Sequence, residues 1–326
     1  MYRPFRSNSN HAGLRPVWQW WWRCVPAHEL VYCIQSELYH LRPEESRQLM
    51  SENRALLVVN PIRRPKGGKR LTGIVDVLER LGVHCALKFT EHKGHGMELA
   101  SRGVAEGYRT IVAVGGDGTV NEVVNGVAGS EAAVFSIPLG AGNDFLRRVR
   151  IWTWEEACRV LAEGHFTHVD MRLAEYQDDA GQRKQRYYAV LADAGFGSEV
   201  VHNTPRRFRH ALGGGIGYVV SLYRTAVQGQ SRARRMKVRV DGELRCDEKL
   251  LLVEALNGMC AGGGLKVAPK AKLNDGVLEL LIVRDMPWLK IWALFPKVYR
   301  GTHIEHERVD YFQVREVEVE PIGVQG

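Results

Sequence analysis

The 326-residue chain lacks most of the features that assign a protein quickly. Its six cysteines (24, 33, 85, 158, 246 and 260) form no Cys-x-x-Cys pair and no metal-ligand spacing. That excludes a zinc ribbon or a disulfide scaffold and fits reduced thiols in the cytoplasm. No apolar run approaches the roughly 18 residues of a membrane-spanning helix. The tryptophan-rich "RPVWQWWWRCV" is too short, and too interrupted by Gln19 and Arg23, for a signal-peptide core. There is no internal repeat or low-complexity tract. No zinc finger, recognition helix or base-stacking aromatic signature appears, so nucleic acid is not an expected partner.

Positive charge is abundant. The formal net charge is +8, and arginines cluster at 63–64, 147–150, 206–209 and 232–235. Such a surplus suits phosphate or an anionic membrane, although any one cluster can be simple solvated surface. With 45% hydrophobic and 25% charged residues, the chain has material for a sizeable core and a length that suits two domains.

Residues 1–54 hold four tryptophans (18, 20, 21 and 22) and little periodicity, and are expected to be a disordered or lipid-interfacial extension. From Ala55 the pattern sharpens. "ALLVV" reads as a buried strand running into Asn60-Pro61 and a basic glycine-rich loop, "IRRPKGGKR". The spacing of Leu71, Ile74, Val75, Leu78 and Leu81 predicts a helix ended by Gly82. "VHCALKFT", "TIVAV" and "AAVFSIP" continue an alternation of strands and helices, which implies an open, parallel α/β sheet over 55–150. Residues 151–326 read as a mostly antiparallel, β-rich domain with a few helices, one near 215–227.

The segment "IVAVGGDGTVNEVVNGV" at 111–127 carries the most chemistry. A buried strand ends in Gly115, Gly116 and Gly118, and a helix follows with Thr119 and Glu122 spaced as a capping box. Free N–H groups at a helix start favour an anion, though a plain strand-to-helix turn would also use glycine. Asp117 alters that balance. A carboxylate beside phosphate makes sense when magnesium or basic side chains, such as those at 63–70, stand between them. No Walker loop can be written through "PKGGKR". The reading is a nucleotide triphosphate and phosphoryl transfer.

The motifs "VVNP" at 58–61, "GGDGTVNEVVNG" at 115–126, "IPLGAGNDFLR" at 137–147 and "LNDGVLELLIV" at 273–283 occur in this order. Together they resemble the diacylglycerol kinase catalytic domain, in particular the soluble bacterial lipid kinases. The resemblance implies a nucleotide domain, a β-rich lipid-substrate domain, and a cleft where ATP with Mg2+ phosphorylates a lipid hydroxyl, with diacylglycerol the expected acceptor. It implies Asp117 as a catalytic residue. Asn60, Thr90, Gly115, Gly116, Asp117, Gly118, Thr119, Val120, Asn121, Ala141 and Asp144 would bind nucleotide. It also implies a metal site made by Asp275 with the carbonyls of Lys272 and Val277, where the residues alone read equally as an Asp-Gly turn.

Two departures stand out. Ala141 replaces a residue that often bears a hydroxyl. The general base, a glutamate in an Asp-Gly-Glu segment, is expected beyond Gly326, with the last strands of the β-rich domain. The Asp-Gly-Glu at 241–243 reads instead as a hairpin turn. Rival expectations are NAD kinase and a catalytically silent nucleotide- or lipid-binding member. The expected partner is a lipid at the membrane surface, reached by a cytoplasmic, peripheral protein; the oligomeric state stays open.

Overall fold

The computed structural model describes residues 22–33, 54–61, 64–140, 142–178, 180–203, 220, 233–272 and 274–322, with backbone alone for 22–33, 64–67 and 201–203. β1 (Trp22–Cys33) precedes the nucleotide-domain pattern. It is followed by β2 (Arg54–Val59), α1 (Arg64–Arg80), β3 (His84–Phe89), α2 (His95–Ala105), β4 (Thr110–Gly115), α3 (Asp117–Val127) and β5 (Ala133–Pro138). The four strands β3-β2-β4-β5 pair in parallel in that order. β4 and β5 are buried along their whole length, whereas the edge strand β3 is largely open. Strands covered by helices on both faces must be apolar throughout, which is why their sequences do not alternate.

The basic loop expected at 62–70 is not a loop: α1 begins at Arg64. Pro65 sits in the first turn, where its missing N–H costs nothing. The Gly67-Gly68 pair is carried by packing of the later turns, including buried Ile74 and Leu78. Lys69 and Arg70 are exposed on this helix.

After α4 (Asp144–Arg148) and α5 (Trp154–Glu163) come β6 (Phe166–Gln177), β7 (Arg183–Tyr188), β8 (Leu191–Gly195), α6 (Phe196–Asn203), β9 (Arg234–Val240) and β10 (Glu243–Leu256). β11 (Leu278–Arg284), α7 (Trp288–Arg300), β12 (Val309–Val314) and β13 (Val317–Pro321) complete the domain. Strands β12-β11-β10-β9-β13 are antiparallel neighbours. Asp241 and Gly242, both at positive φ (49° and 87°), form the β9–β10 hairpin turn that their dipeptide predicts. The helix expected near 215–227 falls almost wholly outside the described residues. α7 is a helix that sequence reading passed over.

Part of the presumed extension is structural. β1 lies antiparallel to β6 from Trp22↔Tyr176 to Cys33↔Phe166, with an irregularity between Pro26 and Glu29. One end also pairs with β13 and the other with β5, so β1 joins the parallel and antiparallel parts into one 13-stranded sheet. Pro26 and the tryptophan cluster conceal the strand from periodicity. The tryptophans at 18, 20 and 21 lie outside the described residues.

Candidate active site

Parallel pairing aligns the carboxyl ends of β2, β3 and β4, the usual ligand position in an open α/β sheet. Asn60 N–H donates to Val114 O (3.0 Å) and Thr90 N–H to Val59 O (2.9 Å), so both residues sit at this rim. Asn60 Nδ2 donates to Thr119 Oγ1 (3.2 Å), which joins two of the predicted nucleotide residues directly. Thr119 is therefore not a helix cap. α3 starts at Asp117 with Gly116 as N-cap and no side-chain cap bond. Glu122 also leaves the expected capping box: its carboxylate accepts from Gly94 N (2.9 Å) and Gly96 N (2.9 Å) ahead of α2.

The turns after β4 and β5 touch through glycine. A Cβ on Gly140 would lie 2.4 Å from Gly116 Cα and 2.5 Å from Asn143 Oδ1, so no larger residue fits. Asn143, at φ 52°, accepts from Gly140 N (3.1 Å) and donates back to Gly140 O (3.0 Å), holding the second turn against the first. Gly140→Ala is expected to destabilise the protein by about 1–3 kcal/mol through overpacking. Thermal unfolding would test this, and an unchanged midpoint would contradict the close approach.

Asp117 and Asp144 meet at this junction. Asp117 Oδ1 accepts from Phe145 N (3.1 Å), and its other oxygen borders Gly142. Burial, then the charge of Asp144, pushes Asp117 up to about 6. Among the described residues Asp117 makes no ion pair, and nothing lies within 4 Å of the Cβ position of Gly118 beside it. A partly buried carboxylate without a cation, next to uncapped helix N–H groups and an opening, fits a metal-bridged polyphosphate. Lys69 and Arg70 form no ion pair with either acid.

Asp144 is employed differently from Asp117. Its oxygens accept from Gly263 N (2.8 and 3.1 Å) and Gly264 N (2.7 Å), across the domain boundary. Gly262, Gly263 and Gly264 all have positive φ (66°, 89° and 104°), which turns successive N–H groups toward one anion. Burial also raises the Asp144 pKa, against the pull of these N–H groups and of Arg147. Asp144 thus ties the Gly262–Gly264 turn of the second domain to the turn after β5.

The remaining predicted residues are dispersed. The Val120 side chain belongs to the core. Asn121, with its amide turned to suit its neighbours, donates to Tyr187 O (3.0 Å) and accepts from Arg186 Nε (3.2 Å), so it faces β7. Ala141 lies outside the described residues. Lys272, Asp275 and Val277 do come together, but around arginines. Arg148 Nη2 donates to Lys272 O (2.8 Å), and Arg172 Nη2 donates to Val277 O. Each carbonyl keeps a lone pair, yet a divalent ion there would press against two guanidiniums. The donor set does not fit the metal that the resemblance implies at this point.

That guanidinium network is what sequence reading missed. Arg172, 1% exposed, also donates to Asn257 Oδ1 (3.1 Å) and Asp170 Oδ2 (3.1 Å). Asn257 Nδ2 donates to Asp170 O (2.6 Å), and Gly276 N to Asp170 Oδ2 (2.8 Å). The only signal was two opposite charges two residues apart on one face of β6.

The family description "Diacylglycerol kinase catalytic domain" matches residues 54–174, and "YegS C-terminal NAD kinase beta sandwich-like domain" matches 194–325. The chain is 30% identical over 270 residues to the diacylglycerol kinase of Staphylococcus saprophyticus, spanning 82% of this chain and 84% of that one. It is 31% identical to the diacylglycerol kinase of Staphylococcus aureus strain bovine RF122, over 82% of each. A solved structure of a diacylglycerol kinase from Bacillus anthracis str. Sterne superposes with a TM-score of 0.59 at 19% identity, over 83% of this chain and 87% of that one. Another chain from that organism reaches 0.66 at 22% identity, covering 83% and 85%.

Proposed function

The chain belongs to the diacylglycerol kinase family of lipid kinases, and from that premise we propose that it phosphorylates the hydroxyl of diacylglycerol with ATP and Mg2+. The observation that carries this reading is Asp117: a carboxylate without a cation among the described residues, at an open helix N-terminus on the rim shared by Asn60, Thr90 and Thr119. ATP would supply the phosphoryl group and magnesium would screen its charge. Asp117 would hold the metal side of that complex, and the first N–H groups of α3 the phosphate side. Gly116 and Gly140 keep the floor of the site flat enough for backbone to approach a ligand. Asp144, through Gly263 and Gly264, fixes the second domain against that floor, so an acceptor held there keeps its distance from the phosphates. The protein would work in the cytoplasm, peripheral to the membrane that contains its acceptor.

Labelled-phosphate transfer from ATP to a panel of lipid alcohols tests the reading, with NAD as a control acceptor because of the second domain's match. Label in phosphatidic acid is the expected result. Label in NAD alone, or in no lipid despite intact ATP binding, would overturn it.

A further inference from the structure

α7 reads WLKIWALFPKVYR and contains no acidic residue. Leu294 is buried, with Ile291 and Val298 beside it, in the core over β10 and β11. At about 100° per residue, a second apolar stripe runs next to that buried face: Trp288, Trp292, Phe295 and Tyr299. Its rings form a ladder, with centroids 6.4 Å apart for Trp292–Phe295 and 5.5 Å apart, edge to face, for Phe295–Tyr299. Trp292 and Phe295 are half-buried against the same core, and the stripe opens outward at its ends. Trp288 is 52% exposed, Leu289 63% and Tyr299 42%. Across the exposed face marked by Leu289, Arg300 lies about 100° around the helix from the stripe and Lys290 and Lys297 on the far flank, all three exposed, with Glu307 3.8 Å from Lys290.

We propose that this outer face of α7 docks on an anionic phospholipid bilayer. Trp288, Leu289 and Tyr299 enter the boundary between headgroups and acyl chains, while Lys297 and Arg300 meet lipid phosphates. Charge selects this occupant. A second copy of the helix packed about a two-fold axis would bring the same bases against each other, with no acid on either helix to offset them. A lipid surface supplies the opposite charge, and indole and phenol rings favour its interface. The proposal deepens the lipid-kinase reading and rests on it for its purpose, since an acceptor embedded in a bilayer must be met at the surface.

Co-sedimentation of the full chain with vesicles, without ATP, tests the surface itself. Vesicles of phosphatidylcholine alone should leave the protein in solution, and vesicles with about one-third phosphatidylglycerol should capture it. Trp288→Ala with Leu289→Ala should lower partitioning about tenfold or more, from the apolar area withdrawn. Lys297→Glu with Arg300→Glu should lower it by at least about fivefold per charge. Wild-type binding by both variants, or no capture of the wild type, would overturn the proposal. So would self-association in solution that the Trp288→Ala/Leu289→Ala variant abolishes, since that result assigns the face to another copy. Phosphate transfer to detergent-dispersed diacylglycerol separates the two readings. Transfer there without vesicle capture sinks the docking surface alone. Capture without transfer to any lipid sinks the kinase reading alone.

Discussion

Asp117→Asn should cut phosphate transfer to lipid by about 10²–10³-fold, the usual effect of deleting one charge aimed at the reacting phosphates. The same change should make the protein more stable above pH 6. Burial and Asp144 raise Asp117 from 3.8 to about 6, so the folded state resists its ionisation. Below pH 4 the group is protonated whether folded or not, and it contributes nothing. As pH rises from 4 to 6 the folded state holds more protons than the unfolded one, so stability falls. Above 6 the full penalty is present. Converting the shift at 1.36 kcal/mol per pH unit, and discounting for partial exposure at the rim, gives about 1–2 kcal/mol. Asparagine lacks that penalty, so the difference in unfolding temperature between variant and wild type should be near zero at pH 4 and widen toward pH 6.5. A variant less stable than wild type at pH 7 would show that the carboxylate is already paired without ligand.

Arg172→Leu should destabilise the protein by about 3–5 kcal/mol, the largest loss expected from any single change considered. The guanidinium is almost wholly buried and joins Asp170, Asn257 and Val277 O in one network between β6 and the segments that follow β10 and precede β11. Its removal leaves the Asp170 carboxylate with the single N–H of Gly276 as its hydrogen-bond donor among the described residues. Arg148 is the cation that remains near Asp170, and a buried carboxylate stripped of its hydrogen-bonded partner costs more than the pair contributes. Removing both charges, as Asp170→Leu with Arg172→Leu, should therefore be less damaging than Arg172→Leu alone. Calorimetric unfolding of the three variants would check this ordering. Equal losses in the single and double variants would mean that Arg172 acts by packing rather than by charge. Arg148 stays cationic in the same network, although burial lowers its pKa to about 9 with Arg172 acting in the same sense.

The parallel half of the fold was legible because its strands are short, apolar and separated by amphipathic helices. The rim residues could be read because glycine has few reasons to crowd the end of a buried strand. Contacts between distant segments could not. Asp144 belongs to a motif, but nothing near it announces that Gly263 and Gly264, some 120 residues on, take its charge. Glu122 mimicked a capping box because local spacing cannot reveal that Gly94 and Gly96 lie closer than its own helix start. β1 was hidden for a related reason: a strand held by β6 and β13 along its edges needs no periodic face of its own. The surroundings of the expected metal ligands were equally illegible. Only the folded chain shows Arg148 and Arg172 directed at Lys272 O and Val277 O.

Calorimetric titration of ATP, with magnesium or with chelator, at pH 7.5 and pH 5, puts the role of Asp117 to its most direct test. Tight binding should require magnesium and weaken about tenfold at pH 5, where most of the Asp117 carboxyl is protonated. Asp117→Asn should bind weakly at both pH values. Equally tight binding of ATP in chelator, by wild type and Asp117→Asn alike, would contradict the account.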